Sequence, residues 1–224
     1  MSDVDFQVFY KEKETEQSWK QLVRIVSGLA SPKRKLCVSI AHAFVREQMD
    51  DIDVVIFMVQ RGENRYSFRT QTECALRYIG FALIAIRLEE KHPEMYIQLM
   101  CAEKGHGYGR RLMNFIQQLA TTHDNIEFVT LSSLAHTINF YRKLGFTHFE
   151  PKNGLMEEDH KLITPAAEKV SEYIFHNTIA VLEHPEMSQF IALLLEEKLT
   201  ADKETKELWD STQEGYVMAM KITK

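Results

Sequence analysis

Apolar positions along the chain switch between a two-residue and a 3.6-residue period, and the switches mark out an ordered series of elements. Phe6 to Tyr10 alternates as a strand. Trp19, Leu22, Val23, Ile25, Val26 and Leu29 then recur at helix spacing until Ser31-Pro32 ends the pattern. Residues 33–50 are ambiguous, with a second helix through Ile40, Phe44 and Met49 as one reading. Val54 to Val59 is a continuous apolar run of the kind a strand buried on both faces shows. Arg61 to Arg77 is polar, with Gly62-Glu63-Asn64 as a turn signal, and Ile79 to Leu88 is a further strand, so the two strands are expected to pair as a hairpin with a long loop. His92-Pro93 punctuates the next turn, and Met95 to Ala102 reads as a strand. Leu112, Met113, Phe115, Ile116 and Leu119 return to helix spacing. Ile126 to Leu131 is a strand, His136 to Leu144 a short helix stopped by Gly145, and Phe146 to Phe149 a strand.

The last quarter differs in texture. Thr164-Pro165 starts a helix, with Val170, Ile174, Thr178 and Val181 on one face, and His184-Pro185 starts a second through Met187, Phe190, Ile191, Leu194 and Leu195. A short third helix is expected through Leu208 and Trp209. Tyr216 to Ile222 is again a strand, so a helical segment sits between two strands. The chain therefore divides into a core, 1–150 with 215–224, and an acidic helical insertion, 151–214.

Charge supports that division. The net charge is −5, but residues 151–214 hold 14 acidic against 6 basic side chains, a balance of −8, which leaves the rest at +3. No basic stripe tracks a phosphate backbone, so no nucleic-acid partner is expected. An acidic face attracts amines or Lys-rich peptides instead. The longest apolar run, Ile79 to Ile86, falls far short of the roughly 20 residues that span a bilayer, so no membrane partner is expected. The start, Met1-Ser-Asp-Val-Asp5, lacks the marks of a secretory signal, and a cytoplasmic location is the default expectation. Cys37, Cys74 and Cys101 are odd in number and far apart, which argues for reduced thiols rather than a disulfide framework. The nine histidines show no ligand spacing, so no metal site is expected.

The chemistry gathers after Ala102. Nine glycines in 224 residues is about 4%, against roughly 7% in average proteins, yet Gly105, Gly107 and Gly109 fall within five residues. Bare backbone at those positions lets successive N–H groups converge on an anion, and the helix that follows adds its positive end. Lys104, His106, Arg110 and Arg111 surround the same point, a composition suited to pyrophosphate. The competing explanation is a flexible turn with solvated charges; in a chain this poor in glycine, a phosphate cradle explains the cluster better. An NTPase is disfavoured because Gly109 is followed by Arg110-Arg111 rather than Lys-Ser/Thr, and the spacing G-x-G-x-G lacks the dinucleotide fingerprint, which leaves an NTP- or NAD-dependent enzyme as a third reading.

The stretch Lys104-Gly-His-Gly107-Tyr-Gly109-Arg-Arg-Leu112-Met113 resembles the acetyl-CoA signature Q/R-x-x-G-x-G/A of the GCN5-related N-acetyltransferase (GNAT) superfamily. Asn139-Phe140-Tyr141-Arg142-Lys143-Leu144-Gly145-Phe146 is similar to that family's second motif, a short helix ending in Tyr-x-x-x-Gly-Phe. The resemblance covers Val54 to Glu150 and not 151–214. It implies an α+β (α/β) fold, a mixed and mostly antiparallel central sheet flanked by helices, with the helical insertion before the last strand. It further implies acetyl-CoA as co-substrate, held by Met100, Cys101 and Ala102 at the strand end, by Lys104, Gly105, His106, Gly107, Tyr108, Gly109, Arg110 and Arg111, and by Phe140. Tyr141 takes the place of the general acid that protonates the departing CoA thiolate; core packing is its bland alternative.

Lys104 stands where Gln or Arg is usual, and Leu134 where many members carry Asn. The general base is open among His136, Glu94 and Glu103. An acetyl group carried on Cys101 is the less favoured route. The expected activity is acetyl transfer to a primary amine, on a small molecule or on a protein Lys or N-terminus; the alternative is a non-catalytic acyl-CoA-binding or scaffold protein with the same fold. The insertion has three roles open to it: packing on the sheet, a lid over the acceptor, or a homodimer interface.

Overall fold

The computed structural model describes residues 4–30, 36, 45, 49–61, 76–89, 91–133, 137–150, 154–155 and 216–223. Its elements are β1 (Val4–Tyr10), α1 (Glu16–Leu29), β2 (Val54–Arg61), β3 (Leu76–Arg87), β4 (Glu94–Ala102), α2 (Tyr108–Thr121), β5 (Phe128–Ser133), α3 (Ile138–Arg142), β6 (Thr147–Glu150), β7 (Gly154–Leu155) and β8 (Tyr216–Lys221). They fall into two compact units, Met1–Ile86 with Ile97–Leu119, and Arg87–Tyr96 with Ala120–Lys224.

In the first unit the strands run in the order β1-β2-β3-β4. β1 pairs antiparallel with β2 from Val4↔Gln60 to Tyr10↔Val54. β2 and β3 form the expected antiparallel pair, with a register shift between Met58 and Val59: Met58 faces Gly80 and Val59 faces Tyr78, so Ile79 is skipped. The Thr15 side chain caps α1 by accepting a hydrogen bond from the Ser18 N–H at 3.2 Å. Trp19, Leu22, Val26 and Leu29 turn inward from α1 and share a core with Val55, Phe57, Val59, Phe81 and Leu83. Phe9 joins that side, its ring edge-on to Phe57 at 5.8 Å. Strand alternation sends Phe6 to the other face, where it stacks on Phe115 of α2 with ring centroids 4.1 Å apart. Helices thus flank both faces of this sheet, which is why Val54 to Val59 is buried throughout instead of alternating.

In the second unit the order is β5-β8-β6-β7. β8 pairs antiparallel with β5 from Phe128↔Lys221 to Ser133↔Tyr216, and with β6 at Thr147↔Ala219 and His148↔Met218. The strand at the C-terminal end of the chain therefore lies between two earlier ones. Phe149↔Leu155 and Glu150↔Gly154 pair β6 with β7. Gly154 and Leu155, ahead of the first helix expected in 151–214 at Thr164-Pro165, continue the sheet. The helices expected at Val170–Val181 and Met187–Leu195 lie outside the described residues, as does most of 33–50, where Met49–Asp51 forms a 3-10 turn. The fold is mixed α/β, and every strand pair whose register is described here is antiparallel, as expected.

Candidate functional site

The glycine loop joins β4 to α2 within the first unit. Gly105 and Gly107 have φ of +87° and +69°, the left-handed region that side chains disfavour. A Cβ at either position would meet nothing within 4 Å, so the requirement is conformational rather than steric. Gly109 differs: it is the second residue of α2 and is not among the positive-φ glycines. Two of the three clustered glycines thus meet a backbone requirement, and the third sits in an ordinary first helical turn.

The Arg111 N–H donates to the Gly107 carbonyl at 3.2 Å. Tyr108, Gly109 and Arg110 consequently carry first-turn N–H groups with no intrahelical acceptor, the donors an anion would take. The first turn of this 14-residue helix contains no acidic residue. Lys104, His106, Arg110 and Arg111 are accessible to solvent, and among the described residues Arg110 and Arg111 form no ion pair. Tyr108 is buried, with its ring 5.3 Å from that of His106, so it anchors the helix start and offers its backbone N–H rather than its hydroxyl.

At the end of β4, Met100 and Ala102 are half-buried and Cys101 is buried. Cys101 is disulfide-bonded. The expectation of three reduced thiols is corrected, because separation along the chain does not measure separation in the fold. A disulfide-bonded sulfur is also no nucleophile, which removes the Cys101 acetyl-carrier route.

The two described carboxylates among the base candidates are both engaged. Glu103 lies against Arg77, whose Nη2 donates to both of its oxygens, at 2.5 and 2.7 Å. Glu94, with a side chain 8% exposed, accepts from Arg87 Nη1 through Oε1 at 2.9 Å. The Arg87 guanidinium also lies 4.0 Å from the centre of the Tyr96 ring. His136, the third candidate, and Leu134 lie outside the described residues.

Tyr141 belongs to the second unit, in the last turn of α3. The Gly145 N–H donates to the Arg142 carbonyl at 3.0 Å and the Phe146 N–H to the Tyr141 carbonyl at 3.1 Å. With Gly145 at φ +91°, this is a Schellman cap. The cap fixes the spacing Tyr-x-x-x-Gly-Phe, and the Phe146 ring packs edge-on to the Tyr141 ring at 5.8 Å. The Phe140 ring also lies edge-on to it, at 5.1 Å. Desolvation by burial pushes the Tyr141 phenol up to about 12.

Sequence reading missed Gly80, Arg77 and Arg87. Gly80 had a signal, an isolated glycine inside a strand pattern, which marks a bulge or a close backbone approach. The partners of the two carboxylates had none.

The glycine loop thus stands between a strand and a helix in a mixed α/β fold, with exposed cations on both sides of it. Residues 72–148 match the family model described as an acetyltransferase (GNAT) domain. Acetyl-CoA is the co-substrate typical of such domains, and their acceptors are amines. No curated protein sequence matches the chain. Among solved structures it is similar to ElaA of Escherichia coli, at 17% identity over 70% of this chain and 95% of that one, with a TM-score of 0.44. It is similar to Tetrahymena GCN5 at 18% identity over 70% and 86% of the two chains, TM-score 0.42. N-acetylglutamate synthase from Neisseria gonorrhoeae, in a structure with coenzyme A and N-acetyl-glutamate, matches at 9% identity over 100% of this chain and 36% of that one, TM-score 0.44. Among the described residues no helix is long and apolar enough to cross a membrane.

Proposed function

We propose that the protein is an acetyl-CoA-dependent N-acetyltransferase that acts on a primary amine, of a small molecule or of a protein Lys or N-terminus, by direct attack. The observation that carries this reading is the Lys104–Arg111 cradle, which combines two left-handed glycines with first-turn N–H groups that have no intrahelical acceptor and with exposed cations. These groups receive the pyrophosphate of CoA. The backbone of Met100, Cys101 and Ala102 pairs with the pantetheine arm, and Phe140 packs beside the co-substrate.

In the reaction the amine nitrogen attacks the thioester carbonyl, a C–N bond forms and the C–S bond breaks. The amine loses a proton and the departing sulfur gains one. Tyr141 serves as the donor to sulfur. Its phenol, pushed up to about 12 by burial, is protonated at any physiological pH and so always ready to donate. Complete transfer to a free thiolate with pKa about 8.5 would be uphill by roughly 3.5 units, about 5 kcal/mol. Tyr141 therefore acts by donating a hydrogen bond as charge builds on sulfur, and a thiolate in the same dry surroundings is itself made more basic. The base that takes the amine proton stays open among His136, Glu94 and Glu103, of which Glu103 has both oxygens on Arg77 and Glu94 has one on Arg87.

The test is Tyr141→Phe. The substitution keeps the ring, its contacts with Phe140 and Phe146, and the backbone cap, and removes only the hydroxyl. Turnover is expected to fall at least about tenfold while acetyl-CoA affinity is unchanged. Undiminished turnover would remove Tyr141 from the mechanism, and binding with no transfer to any amine would favour the scaffold reading.

A further inference from the structure

We infer that Arg77 is a positioning residue for the anion cradle, acting through Glu103. The inference rests on the cradle reading above and concerns how the chain keeps its own carboxylate out of that site. Glu103 is the last residue before Lys104, so it stands at the entrance to a loop built to attract negative charge. Left alone, its carboxylate would be the nearest anion in sequence to Lys104, to the loop N–H groups and to Arg110 and Arg111. It would compete with a phosphate for them, and it would repel that phosphate.

The first residues of β3 prevent this in three ways. Arg77 Nη2 holds both Glu103 oxygens, at 2.5 and 2.7 Å. The Glu103 N–H donates to the Ile79 carbonyl at 2.9 Å, and Ile79 is the residue skipped in the β2–β3 register. Gly80 lets the strands come close: a Cβ there would lie 2.9 Å from the Cys101 carbonyl oxygen and 3.3 Å from the Ala102 Cβ. Main chain and side chain of Glu103 are thus both fixed by β3 just where β4 gives way to the loop. Arg77 is 60% exposed, and ion pairs of that exposure contribute little to folding. Its value lies in where it holds the carboxylate.

The experiment is a double-mutant cycle on the full chain, with Arg77→Ala, Glu103→Gln and the pair together. Dissociation constants are measured by calorimetry for CoA and for inorganic pyrophosphate, and kinetics with acetyl-CoA as the varied substrate. Arg77→Ala is expected to weaken CoA and pyrophosphate about three- to tenfold, raising KM for acetyl-CoA while kcat at saturation stays level. Adding Glu103→Gln should restore affinity to within about twofold of wild type, because the competing charge is gone. A merely structural pair predicts the opposite, a double variant no better than Arg77→Ala, and that result overturns the inference. So does unchanged affinity in Arg77→Ala. If wild type binds pyrophosphate but not CoA, the acetyl-CoA reading fails while the pyrophosphate cycle still decides the role of Arg77. If it binds neither, both fall.

Discussion

Replacing Gly107 by Ala isolates the conformational part of the cradle. Nothing lies within 4 Å of the Cβ that the substitution adds, so no clash contributes, and the whole effect comes from holding an L-residue at φ +69°. That backbone costs about 1–2 kcal/mol relative to the right-handed form, or a factor of roughly 5–30 in population. Gly107 is exposed, so the loop is free to relax rather than store the strain. The cost then appears when an anion draws the N–H groups back together. Titration calorimetry with CoA should show Kd raised by about that factor, roughly 5–30-fold, with the circular dichroism spectrum unchanged. Gly105→Ala should behave alike. Gly107→Asn should lose less, because Asn tolerates the left-handed region better than Ala. Gly109→Ala is the control: its backbone is helical, and Kd should stay within about twofold. A folded Gly107→Ala protein with wild-type affinity, or a Gly109→Ala protein as impaired as Gly107→Ala, would refute the reasoning.

Other expectations follow from the same geometry. Gly80→Ala pushes a Cβ against the Cys101 carbonyl oxygen, so the variant should lose about 1–3 kcal/mol in urea denaturation; unchanged stability would mean the strands separate without cost. Arg87→Met leaves the buried Glu94 carboxylate without its donor and removes the cation from the face of Tyr96. A loss of about 1–3 kcal/mol is expected, read as a Tm lowered by roughly 5 °C, and Glu94→Gln in the same background should recover part of it. A proton donor raised to about 12 stays protonated as pH rises, so kcat should not decline between about pH 8 and pH 10. An alkaline limb near pH 9 that disappears in Tyr141→Phe would contradict the raised value. Alkylation before reduction should leave Cys101 unlabelled, since it is disulfide-bonded; a labelled Cys101 would contradict the pairing.

Period and punctuation made most of the fold legible. The apolar run at Val54 to Val59 announced a strand covered on both faces, and the stacking of Phe6 on α2 and Phe9 toward α1 shows the two covers. Gly145-Phe146 was legible as a helix stop, but the geometry adds that the Tyr141 spacing is demanded by the cap itself. The motif therefore places the Tyr141 ring for local reasons, and only its hydroxyl bears on chemistry. The glycine cluster was legible as a loop, though not the division of labour inside it. Left-handed φ at 105 and 107 and helical φ at 109 depend on where α2 begins, which sequence reading fixes only to within a turn. Arg77 and Glu103 are 26 residues apart and meet because β3 runs beside the end of β4; ion pairing between strands leaves no local pattern to read. The Cys101 disulfide was hidden for the same reason.

The central claim is that the cradle serves amine acetylation, and it is met most directly by following free thiol from acetyl-CoA over a panel of amines and Lys-bearing or free N-terminal peptides. The account predicts thiol release that requires an amine, saturates with acetyl-CoA and drops at least about tenfold in Tyr141→Phe. Acetyl-CoA bound at the cradle with no amine-dependent thiol release from any acceptor would contradict it.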